Sequence, residues 1–68
     1  MSFNNKLKAF REKRGMSQQE LAEKSGVSRT TIVMLENNEA KVVKTDTLLK
    51  LAATFGVPVT RIFFIKEV

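Results

Sequence analysis

The chain has only three glycines, Gly15, Gly26 and Gly56, and one proline, Pro58, and these four positions constrain its fold more than any other feature. They punctuate the sequence. Between them the apolar residues recur three and four apart, the spacing that gathers side chains on one face of an α-helix. Phe3, Leu7 and Phe10 form one such stripe, on a first helix of roughly residues 3–14 that Gly15 closes. Ser17-Gln18-Gln19-Glu20 has the form of a capping box, so a second helix starts near Gln18, turns Leu21 and Ala22 inward and stops at Ser25-Gly26. Ser28 caps a third helix, with Ile32 and Leu35 on its buried side and Glu36 near its end. Asn37-Asn38 suits a left-handed closure, because Asn tolerates positive φ better than most residues. A loop follows over residues 39–44. Thr45 or Asp46 is expected to cap a fourth helix with the stripe Leu48, Leu51, Ala52 and Phe55. Pro58 falls in the first turn of a fifth, where its missing N–H costs nothing. Ile62 and Phe63 are the expected core contacts of that last helix.

The fold expected is all-α: a compact five-helix bundle over residues 1–68, one domain, with room for a short strand at the C-terminal end. A chain of 68 residues buries a thin core. It has no Cys and no His, so neither a disulfide nor a zinc site can support that core. No metal and no cofactor are expected. The same two absences, with carboxylates scattered along the chain, argue against an enzyme and against a small-molecule substrate. No apolar run approaches the length of a membrane span, and no signal peptide is visible, so the reading is cytoplasmic, with no membrane partner. The balance is 12 Lys and Arg against 7 Asp and Glu, a net charge of +5, with a pI near 10.0. A basic domain of this size has a phosphate backbone as a natural partner. With no Trp or Tyr it lacks the stacking platform of single-stranded RNA binders, which favours duplex DNA.

Two short helices joined by a turn containing Gly make the helix-turn-helix pattern, here over about 18–36. Ala22 is small where the helices cross, and Val27 plugs the turn. Because Ile32 and Leu35 face in, Arg29, Thr30, Val33 and Met34 fall on the outward side of the third helix. Arg29 stands near the N-terminal end, which meets base edges in this motif, and an Arg–guanine pair is the commonest specific contact. Thr30 can bond a base or touch a thymine methyl, and Val33 and Met34 suit thymine methyl groups.

The stretches LKAFREKRGMSQQELAEKSGVSRTTIVMLENNE and TLLKLAATFGVPVTRIF resemble the Cro/C1-type (XRE) helix-turn-helix family of phage repressors and bacterial regulators. The combination R-x-x-x-G-x-S-Q-x-x-L-A, G-V-S-x-x-T-I and L-E-N carries the likeness. The resemblance implies a lambda-repressor-like fold with the third helix in the major groove. It also implies a phosphate contact at Gln18 and an ion pair between Arg11 and Glu36 that locks the recognition helix to the scaffold. Asn37, Lys41 and Lys44 fall where the family's loop follows the phosphate backbone, and Ser28 and Thr31 are taken as further phosphate contacts. Two positions depart from the family: Asn38 stands where Gly is usual, and the recognition helix reads SRTTIVM rather than a Gln-rich surface, so no target sequence carries over.

The reading is therefore a sequence-specific regulator of transcription, of repressor type, working as a homodimer on a palindromic operator of double-stranded DNA. The alternative is an antitoxin-like or controller-like regulator that also binds a protein. The end FFIKEV is more apolar than an exposed terminus should be. Phe64, Ile65 and Val68 are expected at the dimer interface, through a short strand or through the fifth helix; folding back on the core is the competing use.

Overall fold

The computed structural model describes residues 5–40 and 42–63. Five helices follow one another: α1 (Leu7–Lys13), α2 (Gln18–Ser25), α3 (Arg29–Glu36), α4 (Thr45–Phe55) and α5 (Val59–Ile62). Among the described residues there is no strand, only one isolated antiparallel bridge between Asn5 and Phe63.

Local chemistry explains most helix ends. At the start of α2, the Glu20 N–H donates to Ser17 Oγ at 3.0 Å and the Ser17 N–H donates to Glu20 Oε1 at 3.2 Å, the reciprocal capping box. At the start of α3, the Thr31 N–H donates to Ser28 Oγ at 3.2 Å, while the Ser28 hydroxyl donates to Thr31 Oγ1 at 2.8 Å. The ends of α1, α3 and α4 close alike. A residue at positive φ follows each helix, and the next N–H reaches back to a carbonyl in the last turn. For α3 that residue is Asn38, at φ 57°, and the Glu39 N–H bonds the Met34 carbonyl at 2.8 Å. Asn thus does at this end what Gly15 and Gly56 do at the others.

Three boundaries differ from the sequence reading. Helix α1 begins at Leu7, and Phe3 lies outside the described residues. Tertiary contacts claim the residues just before it. Asn5 Nδ2 donates to the Leu35 carbonyl at 2.8 Å, and the Lys6 N–H donates to the Ile62 carbonyl at 2.7 Å. In α4 neither Thr45 nor Asp46 is the cap. Lys44 holds the cap position without a side-chain bond, and Asp46 sits inside the first turn, 3.2 Å from Lys50. Pro58 is the residue before α5 rather than its first, extended at φ −63° and ψ 150°.

One apolar cluster lies among the helices. Leu7, Leu21, Ile32, Leu35, Leu51 and Ile62 are fully buried, joined by Val27, Ala52, Phe55 and Phe63. Leu48 is only partly buried at its edge. Phe10 packs against Phe55 with ring centres 5.7 Å apart. Arg14 lies over the same Phe55 ring and donates from Nη2 to its carbonyl at 3.1 Å, tying the end of α4 back to α1. No described helix is long and apolar enough to cross a membrane. The consequence for function is positional: α3 is held from behind by Ile32 and Leu35, and its opposite side is left open.

Candidate nucleic-acid interface

A helix turns about 100° per residue, so with Ile32 and Leu35 buried the outward direction passes through Thr30. Arg29 and Thr30 are exposed, and Met34 is 41% exposed, unusual for a large apolar side chain. Val33 is half-buried, so less of it is presented than of Met34. Ser28 is exposed at the cap. Thr31 is half-buried, with its hydroxyl engaged by Ser28.

Beside this face runs a groove lined by Thr31 and Met34 of α3, by Ala40, Val42, Val43 and Lys44 of the loop, and by Thr47 of α4. It gathers three of the residues singled out from sequence: Thr31, Met34 and Lys44. Asn37 is exposed at the end of α3, and Lys44 is exposed where α4 begins. No side chain caps α4, and of its first-turn N–H groups that of Thr47 donates to the Lys44 carbonyl at 3.0 Å. Lys41 lies outside the described residues. So do Phe64, Ile65 and Val68, and with them the segment expected to form a strand at a dimer interface.

Behind the recognition helix sits a polar clamp. Arg11 of α1 donates from Nε to Glu36 Oε2 at 2.7 Å and from Nη2 to Glu36 Oε1 at 3.1 Å. Its third arm, Nη1, donates to the Met16 carbonyl at 2.7 Å, in the turn leading to α2. The side chains are 12% and 2% exposed for Arg11 and Glu36. The hydrogen bond to Glu36 is the largest reason the Arg11 pKa stands above its ordinary value; burial opposes it, and the charges of Glu36 and Glu12 add to it. The clamp has a further member. Gln18, the first residue of α2, donates from Nε2 to Glu36 Oε1 at 3.1 Å. One carboxylate therefore joins α1, α2 and α3.

The link from Gln18 to Glu36 went unseen in the sequence, which pointed Gln18 only at a phosphate. So did Asn5, whose Nδ2 donates to the Leu35 carbonyl at 2.8 Å across thirty residues of chain. Neither has a local signal: a Gln in a first turn and an Asn near a terminus are compatible with many partners. The exposure of Val42, at 92%, was equally invisible, since a Val in a short loop is as often buried.

The helix-turn-helix family model matches residues 7–62. The chain is 40% identical over 57 residues to the HTH-type transcriptional repressor RghR of Bacillus subtilis (strain 168), covering 84% of this chain and 42% of that protein. It thus spans less than half of RghR. It is 40% identical over 67 residues to the uncharacterized HTH-type transcriptional regulator MJ0272 of Methanocaldococcus jannaschii, covering 93% of this chain and 94% of that one. Among solved structures it resembles a chain of the SinR protein/SinI protein complex, with a TM-score of 0.75 and 33% identity over 81% of this chain and 53% of that one.

Proposed function

Since the chain belongs to the helix-turn-helix family of DNA-binding transcriptional regulators, we propose that it lays α3 in the major groove of duplex DNA and represses transcription from a palindromic operator as a homodimer. The observation that carries this reading is the two-sidedness of α3. Its back is fixed by Ile32, Leu35 and the Glu36 clamp, and its front offers Arg29, Thr30 and Met34 together. A rigid helix with an exposed Arg donor and an exposed thioether is suited to base edges, with Arg29 on guanine and Met34 and Val33 on thymine methyl groups. Gln18, Ser28, Thr31, Asn37, Lys41 and Lys44 surround it as donors for phosphates, which set orientation rather than sequence. The setting is the cytoplasm, where the DNA is.

One helix reads only a few base pairs, too few to mark a unique site among genomic competitors. Two copies related by a two-fold axis read half-sites about one helical turn, roughly 34 Å, apart. The interface assigned to the second copy is Phe64, Ile65 and Val68. Selection of binding sites from a random duplex pool tests the reading. An enriched inverted repeat is expected; recovery of unrelated sequences with no common element would overturn it. A second reading, that a protein partner also binds this chain, rests on SinR having been solved in complex with SinI protein.

A further inference from the structure

The Gln18 amide is held by a group that can only accept. An ionised carboxylate has no proton to give, so Gln18 must turn its nitrogen, not its carbonyl oxygen, toward Glu36 Oε1. Turning the amide over would set two oxygens against each other. Glu36 is itself immobile, because Arg11 grips both its oxygens and the side chain is 2% exposed. The Arg11 charge also offsets the carboxylate, so Glu36 does not set an uncompensated negative charge beside a phosphate backbone. The second N–H on Gln18 Nε2 has no hydrogen-bond acceptor among the described residues. Gln18 is half-buried in the first turn of α2, at the helix end whose partial positive charge favours an anion.

We infer that Glu36 is a positioning residue for the DNA backbone: through its hydrogen bond it fixes the Gln18 amide so that an N–H, and not the carbonyl, is offered to a phosphate oxygen. The inference rests on the duplex-binding reading above. Glu36 touches no DNA; it removes the ordering cost that a free glutamine would meet on binding. Ion pair, amide and phosphate then form one relay, and the pair that seats the recognition helix also orients a backbone contact on the neighbouring helix.

The test is a double-mutant cycle on duplex affinity, with the site selected by the wild-type protein as probe. Glu36→Asp keeps the charge but withdraws the carboxylate by one methylene. It is expected to weaken binding about threefold to tenfold, the scale of one unordered side chain. Gln18→Ala alone should cost a similar factor, and in the Glu36→Asp background no more than about twofold further. Replacing single phosphates by methylphosphonate separates orientation from mere seating of the fold. Glu36→Asp should lose sensitivity at the phosphate where Gln18→Ala loses it, while keeping full sensitivity at phosphates lost with Lys44→Ala. If Glu36→Asp unfolds by circular dichroism, Glu36→Gln, which keeps the shape but lets the amide turn over, carries the same cycle. Additive losses, or a uniform fall in sensitivity at every phosphate, overturn the inference. So does a Gln18→Ala variant that binds like wild type, and in that case duplex binding itself still stands. A wild-type protein with no affinity for duplex overturns the function reading instead.

Discussion

Arg11 spends its guanidinium on three acceptors, two on Glu36 and one on Met16, and this makes it costly to remove. Arg11→Ala leaves a carboxylate nearly sealed from water with no counter-charge, and breaking such a pair costs about 3–5 kcal/mol. A fall of that size in the free energy of denaturant unfolding is expected, with weaker DNA binding, although Arg11 need touch no DNA. The same pair bears on the pH response. A raised arginine pKa adds stability that is fully present below the unfolded value and is lost only as pH climbs through the higher folded one. Both lie far above neutrality, so the Arg11 charge itself adds no pH dependence to the stability across the physiological range. Arg29 is the opposite case, exposed and outward. Arg29→Ala should leave the melting temperature unchanged and relax selection at one base pair per half-site, at about 1–3 kcal/mol; identical consensus sequences from mutant and wild type would remove its base-reading role. Lys44→Ala should lower affinity for any duplex and reduce the slope of log affinity against log salt by about one phosphate's worth, roughly 0.9.

The helices differ in how far the sequence betrays their ends. The start of α2 was legible because a capping box is written in four consecutive residues, Ser17 to Glu20, and needs nothing else to form. The left-handed residue after α3 was legible for the same local reason. Asn38 holds φ 57°, where a β-carbon is crowded, so Asn38→Ala should destabilise by about 1–2 kcal/mol in thermal or denaturant unfolding. The start of α1 was not legible. The apolar stripe Phe3, Leu7 and Phe10 is helical in period, yet Asn5 bonds Leu35 and Lys6 bonds Ile62, and those contacts, remote in sequence, win over periodicity. The cap of α4 was misplaced by one or two residues because both Thr45 and Asp46 are good caps in isolation; inside the first turn Asp46 is favoured by the helix dipole and by Lys50 instead. The outward face of α3 followed from the periodicity of Ile32 and Leu35. The clamp's reach to Gln18 did not, because it depends on how two helices cross.

For the molecule as a whole, stability and occupancy of DNA are coupled to a second copy in the proposed reading. Removing residues 64–68 is expected to leave a folded monomer whose operator affinity falls steeply, while its affinity for unrelated duplex changes little. Sedimentation equilibrium of the full chain and the truncated one decides this. A truncated protein that still sediments as a dimer moves the interface elsewhere, and Leu49, 53% exposed on α4, is then the next surface to vary. One further property follows from the way the two extremities of the described chain meet. Asn5 and Phe63 are bridged, and Lys6 bonds Ile62 beside them, so entry and exit of the backbone occupy one corner. Such closeness makes the starting point of the polypeptide interchangeable. A circular permutant with Val68 fused to Met1 and new ends opened at Val42 should pack the same five helices, retaining its far-ultraviolet spectrum and a cooperative melt while surrendering the loop that borders the groove.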